Sequence, residues 1–212
     1  MNCDSIARAY RWMEYLTFGP ALHRRRREFL KDMGNARSVL ILGDGDGRFT
    51  ADFLQRNPHA LVCSLDSSQR MTSLAAGRIA RIPNGSARIK QSVEDVRRAQ
   101  LTGTFDLVVT HFFLDCFTTD EVRHLIRRIT AHVLPGGQWV ISEFQIPPAG
   151  FRRLVAGLAI KLLYAGFRIL TGLEAKRLPD YRRILESNDY HRTAIRTGVA
   201  GMLVSETWQL VS

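Results

Sequence analysis

The sequence predicts an α/β fold: a doubly wound, mostly parallel sheet that ends in an antiparallel C-terminal hairpin. Three observations carry this expectation. First, Val39-Leu40-Ile41-Leu42 is a continuous apolar run that enters Gly43-Asp44-Gly45-Asp46-Gly47, and Phe49, Phe53 and Leu54 follow at helical spacing. That unit reads as buried strand, glycine turn and helix. Second, further apolar runs alternate with helical segments as far as Phe144. Third, the strand-like runs 190–197 and 202–211 are separated only by Gly198-Val199-Ala200-Gly201, which reads as a hairpin.

Each element has a local reason. Leu61 to Asp66 is a second buried strand that ends in an acid, and residues 68–79 follow as a helix. Ala87 to Gln91 is a third strand with an exit loop over 92–96. Phe105 to Thr110 is a fourth, apolar after its opening acid, and it runs into His111-Phe112-Phe113-Leu114-Asp115. Thr118 or Thr119 caps the next helix, with Asp120 and Glu121 in its first turn. That helix is expected to reach about Leu134, to stop at Leu134-Pro135-Gly136-Gly137, and to lead into a fifth strand over 138–144. Before the first strand, residues 1–36 read as two helices broken at Gly19-Pro20. The second carries Arg24-Arg25-Arg26-Arg27, either a solvated face or a contact with acidic groups.

Composition limits the function. With 212 residues, 45% hydrophobic and 24% charged, the chain suits one globular domain, here 1–212, rather than a disordered or fibrous protein. The net charge of +10 suits nucleic acid, a membrane surface or an anionic substrate. Cys3, Cys63 and Cys116 are odd in number and lack metal-ligand spacing, and no apolar leader opens the sequence, so a reducing cytoplasm is expected.

The glycine turn specifies its ligand further. Glycines permit positive φ and close approach of a ligand. A dinucleotide turn is G-x-G-x-x-G, but here the third place is Arg48 and the spacing is G-x-G-x-G. Asp44 and Asp46 lie between the glycines, where they would repel a pyrophosphate and tolerate a cation. Asp66, nineteen positions after Gly47, can accept hydrogen bonds from ribose hydroxyls, cap the following helix, or do both.

The glycine turn, the Leu134-Pro135-Gly136-Gly137 stop and the closing hairpin resemble the class I S-adenosylmethionine (SAM)-dependent methyltransferases. The resemblance covers roughly 36–146 and 184–212. It implies a seven-stranded Rossmann-like sheet and SAM as cofactor, bound by Gly43, Asp44, Gly45, Gly47, Asp66, Ser67, Met71, Val93, Glu94 and Thr110. Met71 either packs near the adenosine or is core. Ser92 stands where the family often has an acid facing the adenine; the Val93 N–H, Glu94 or Asp95 would take that part. Ile41 stands where the family usually has an acid for the cofactor's amino end, a role left to Asp44, Asp46 or backbone carbonyls.

The resemblance also implies a substrate side. His111 is the candidate general base, or else a satisfied histidine at a strand end, with Asp115 assisting it or orienting its ring. Tyr10, Tyr15, His111, Phe112, Glu143 and Lys161 are candidate acceptor contacts. Residues 1–36 are expected to form a helical cap, and 147–185 a helical lid. The stretch 149–172 is apolar, and no acid occurs between Glu143 and Glu174. Residues 151–183 hold eight basic and two acidic side chains, a net of +6. These features suggest a lipophilic or aromatic small-molecule acceptor, taken from or near a membrane surface, or simply helices packed on the sheet. RNA or DNA methylation, and SAM binding without catalysis, are the alternatives. A nicotinamide oxidoreductase is disfavoured by the glycine spacing and the hairpin.

Overall fold

The computed structural model describes residues 20–146 and 178–211. Within them, β1 (Ser38–Leu42), β2 (Leu61–Asp66), β3 (Ile89–Val93), β4 (Phe105–His111), β5 (Val133–Phe144), β6 (Tyr190–Gly198) and β7 (Leu203–Leu210) form one sheet. The strand order is β3-β2-β1-β4-β5-β7-β6. Strands β1 to β5 pair in parallel, and β7 pairs antiparallel with both β5 and β6. The chain reverses its direction of travel between β1 and β4, so the carboxyl ends of these strands border the crevice where ligands of open α/β sheets bind.

Helices α1 (Pro20–Arg26), α2 (Arg48–Arg56), α3 (Gln69–Ile79), α4 (Thr119–Thr130) and α5 (Tyr181–Glu186) complete the described elements. Alternation along each strand divides the core into two layers. Val39, Ile41, Leu107 and Val109 pack with Phe49, Phe53 and Ile79 on the side of α2 and α3. Leu40, Leu42, Val108 and Ile141 pack with Leu125, Ile129 and Leu185 on the side of α4 and α5. The sheet is thus covered on both faces. Helix α4 starts with a full capping box: Thr118 Oγ1 accepts from the Glu121 N–H, and the Glu121 carboxylate accepts from the Thr118 N–H.

Two boundaries differ from the sequence reading. Helix α4 ends at Thr130, and Leu134-Pro135-Gly136-Gly137 lies inside β5. The reason is a register shift: Phe105 pairs with Val133, whereas Leu107 pairs with Gln138, so the four residues bulge with Gly136 at φ 73°. The third strand begins at Ile89, because Ser86–Arg88 forms a 3₁₀ turn. Arg88 fastens that turn by donating to the carbonyls of Asn57 and Leu54.

The arginine run divides among several tasks. Arg25 is buried and pairs with Glu28 at 2.7 Å. Arg27 pairs with Asp52 at 3.0 Å, and Arg26 lies over the Phe112 ring. Arg24 is exposed. Helix α1 is pinned over the end of the sheet because the Arg25 carbonyl accepts from both Ser142 Oγ and Ser205 Oγ.

Candidate functional site

The glycine turn joins β1 to α2 with all three glycines at positive φ: 66° at Gly43, 64° at Gly45 and 76° at Gly47. Two of them are also required sterically. A Cβ on Gly43 would collide with the Phe113 ring, and one on Gly47 would lie 2.6 Å from the Ala75 Cβ, where α2 and α3 meet. A Cβ on Gly45 would meet nothing within 4 Å, so its backbone is open to a ligand.

Asp66 braces this turn. Its Oδ2 accepts from the Gly45 N–H at 3.0 Å and its Oδ1 from the Ser68 N–H at 2.9 Å. The helix cap itself is Ser68, whose Oγ accepts from the Met71 N–H. The Glu94 N–H donates to the Asp66 carbonyl, which brings the end of β3 beside the end of β2. Met71 is half-buried at the start of α3, and Ser67, Val93 and Glu94 are exposed at the same edge. Thr110 differs from the expectation of a cofactor contact. Its side chain is fully buried and accepts from Trp139 Nε1 at 3.1 Å, so it supports the core below the site.

The two turn carboxylates have different fates. Asp46 pairs with Arg48 at 3.0 Å and Arg78 at 3.2 Å, so its charge is already met. The Asp44 Oδ2 is buried without a hydrogen-bond partner. Burial pushes the Asp44 carboxyl up to about 6, with the Thr50 hydroxyl and the Arg26 charge pulling it back. Asp44 lines a small cavity with Arg26, Gly43, Phe49 and His111. Its volume of about 10 Å³ suits one water or one ammonium group.

His111 closes that cavity from below. Its ring packs edge-on against Phe49, with centroids 4.6 Å apart, and neither ring nitrogen has a hydrogen-bond partner. Burial, followed by the Arg26 charge, lowers its pKa to about 3. The general-base expectation therefore meets a physical obstacle, since a base this weak holds a proton poorly at neutral pH. The expectation that Asp115 orients the ring also fails, because the two side chains share no hydrogen bond.

On the other face of the sheet, Glu143 takes the place of a positioning group. Its Oε1 accepts from the N–H groups of Phe113 at 3.1 Å and Leu114 at 2.8 Å. These bonds hold the sharp exit from β4, where Phe112 sits at φ 54°, a costly conformation for a bulky residue. Phe112 packs against Phe144, and Phe113 against Phe117, with centroids 5.1 and 5.0 Å apart. Asp115 follows, buried, in the 3₁₀ turn Leu114–Cys116. Beside this turn, α5 is docked onto β7 through the wholly buried Glu206, which accepts from Tyr181 Oη and pairs with Arg182 and Arg192 at 2.9 Å each.

Tyr10, Tyr15 and Lys161 lie outside the described residues. Arg26 and Phe113 were not singled out from the sequence. Arg26 was hidden inside a basic run, and the signal for Phe113 was its place beside Asp115 at the end of an apolar strand.

Residues 39–137 match a family described as "Methyltransferase domain". The trans-aconitate 2-methyltransferase of Deinococcus radiodurans is 37% identical over 109 residues, which cover 51% of this chain and 37% of the relative. The dTDP-4-amino-2,3,4,6-tetradeoxy-D-glucose N,N-dimethyltransferase of Saccharopolyspora spinosa is 26% identical over 140 residues, 65% of this chain and 51% of the relative. The chain thus spans about half, or less, of the length of these curated relatives. Among solved structures, the N-methyltransferase NodS from Bradyrhizobium japonicum WM9 in complex with S-adenosyl-L-homocysteine (SAH) superposes with a TM-score of 0.69. The likeness covers 92% of this chain and 89% of that one at 16% identity, and it shows a shared fold. By its match to a methyltransferase domain over residues 39–137, its glycine turn and its sheet order, the chain is similar to the class I SAM-dependent methyltransferases and shares their fold.

Proposed function

We propose that this protein transfers a methyl group from SAM to a small-molecule acceptor with a lipophilic or aromatic body. The observation that carries the cofactor half is the buried, unpartnered Asp44 Oδ2 above a cavity the size of one ammonium group. An uncompensated buried carboxylate is costly, and a cationic amino group would relieve that cost. SAM has such a group and no phosphate. Gly43, Gly45 and Gly47 would hold its backbone-facing side, and Asp66 would accept from the ribose while still bracing the turn. Arg26, on the wall of the same cavity, would face the carboxylate of the amino-acid end. Met71, Ser67, Val93 and Glu94 would border the adenosine. When bound, SAM supplies an electrophilic methyl on a sulfonium. What the chain's own residues contribute is alignment and exclusion of water, since in-line displacement depends on orientation above all.

The acceptor half rests on Phe112, Phe113, Phe117 and Phe144, which gather where β4 and β5 end. The apolar, acid-free sequence 149–172 supports it further. We assign 1–36 and 147–185 the roles of cap and lid within a single domain, and a peripheral membrane contact to the basic lid sequence. The odd number and wide spacing of Cys3, Cys63 and Cys116 support a reducing, cytoplasmic setting. The test is a methyl-transfer assay with labelled SAM across lipophilic phenols, lipophilic amines and small polar acids. Labelling of the lipophilic acceptors is expected. Labelling confined to the polar acids would remove the acceptor proposal, and absence of SAM binding would remove the whole reading.

A further inference from the structure

We infer that His111 is a cofactor-binding residue: a lone-pair nitrogen of its ring accepts from the α-amino group of SAM, so that Asp44 and His111 grip that group together. This rests on the methyltransferase reading and deepens it to the part of the cofactor that the site selects. His111 ends β4, and β4 pairs with β1 so that Thr110 lies beside Leu42. The next residue along each strand, His111 on one and Gly43 on the other, stands where the glycine turn begins. His111 and Asp44 line the same cavity of about 10 Å³. His111 is 7% exposed, and among the described residues neither of its ring nitrogens has a hydrogen-bond partner. The Asp44 Oδ2 is likewise buried without one. Two separate elements thus leave unmatched polar atoms on one cavity, and buried polar atoms call for a partner in what fills it.

The other walls of the cavity decide what that partner is. Ile41, Leu42 and Phe49 are apolar, so their side chains offer the imidazole no hydrogen bond. Burial, and after it the Arg26 guanidinium on the same wall, keep the ring neutral. A neutral imidazole carries one N–H and one lone pair, whereas an imidazolium would carry two N–H groups and repel an ammonium. Neutrality is therefore what lets His111 accept. Asp44 and Arg26 bring one negative and one positive charge to the cavity wall. A ligand end that carries both charges preserves that balance, while an amine or a carboxylate alone would upset it. The α-amino acid end of SAM carries both. In this arrangement Asp44 supplies the charge that holds the ammonium, and His111 supplies a second, directional acceptor that adds no charge of its own. The Phe49 ring, 4.6 Å away and nearly perpendicular, fixes the orientation of the imidazole.

The experiment compares two ligands by calorimetry: SAH, and its analogue without the amino group, 5′-S-(3-carboxypropyl)-5′-thioadenosine. In His111→Leu the affinity for SAH should fall about tenfold, while the affinity for the analogue should change by less than about threefold. A residue that merely shaped the turn would weaken both ligands alike. The second measurement needs no variant. In the full-length wild-type protein with ¹⁵N-labelled histidine, SAH should move the lone-pair nitrogen resonance of His111 and leave the ring neutral, and the analogue should not move it. Equal losses for the two ligands, SAH affinity indifferent to His111→Leu, or the same ¹⁵N shift with both ligands, as a trapped water would give, overturns the assignment of His111 and leaves the cofactor reading standing. Failure of the wild-type protein to bind SAH overturns the methyltransferase reading and this inference with it.

Discussion

Asp44 shows how a single buried carboxyl links fold, cofactor and pH. Its pKa is raised from 3.8 to about 6, so the folded state holds the proton more tightly than the unfolded chain does. Its contribution to stability therefore falls as pH rises through that window, and the strain of the buried anion remains above it. A cationic ligand reverses this, because it needs the anion. SAM affinity is expected to fall by up to about tenfold per pH unit below 6, measured by calorimetry between pH 5 and 8. Asp44→Asn should weaken binding by about 1.5–3 kcal/mol and flatten that dependence. His111 has the opposite sign. Its folded pKa of about 3 lies below the ordinary 6.5, so the unfolded state binds the extra proton and stability contributed by this group rises with pH between those values. His111→Leu, which removes two unpartnered nitrogens, should move the acid-unfolding midpoint to lower pH at little cost at neutral pH, as followed by circular dichroism. A methyl-transfer pH profile that keeps its shape in that variant would show that His111 is not the base.

At the scale of elements, the turns hold the decisive strain. The β6–β7 connection places Val199 at φ 49° and Ala200 at φ 54°, a left-handed pair normally left to Asn and Gly. Val199→Asn together with Ala200→Gly should stabilise the protein by about 1 kcal/mol or more, read as a higher midpoint of thermal unfolding. The first βα turn is different, because there the strained residues are already glycine and the brace is Asp66. Asp66→Ala should remove the bonds to the Gly45 and Ser68 N–H groups and weaken SAM binding by about 1.5–3 kcal/mol. If Asp66 only braced the turn, stability would fall while the affinity of the folded protein stayed the same. This element was legible in the sequence because its glycines and its acid are local signals. The bulge in β5 was not: Leu134-Pro135-Gly136-Gly137 reads as a stop, and only pairing with β4 converts it into strand.

Across the whole molecule, charge is distributed unevenly. The excess of +6 over residues 151–183 is more than half of the chain's net +10. No helix of the described residues is long and apolar enough to cross a membrane, and the basic stretch as far as residue 177 lies outside them; the contact proposed for it is a peripheral one. Co-sedimentation with anionic vesicles should be salt-sensitive, and it should drop in a Lys161→Glu, Arg168→Glu double variant. Absence of wild-type binding would remove the membrane part and leave the acceptor chemistry standing. The arginine run near the N-terminus belongs to a different system. Arg25, Arg26 and Arg27 each contact the fold, which fastens α1 over the ends of β5 and β7.

By itself the sequence determined the alternation of strands and helices, the glycine turn, the acid ending β2 and the closing hairpin. All of these arise from patterns within a few residues, where periodicity, glycine freedom and caps act. Tertiary structure decided which carboxylate keeps a buried oxygen without a hydrogen-bond partner. Asp44 and Asp46 are alike in sequence, yet neighbouring Arg48 and distant Arg78 pair with Asp46, while the Asp44 Oδ2 is buried without a hydrogen-bond partner. It also decided that the His111 ring is buried against Phe49 with its pKa lowered, and that Glu143, far away in the chain, holds the Phe113 and Leu114 N–H groups. Desolvation and charge coupling depend on what the folded chain brings around a group. A linear pattern does not contain that information.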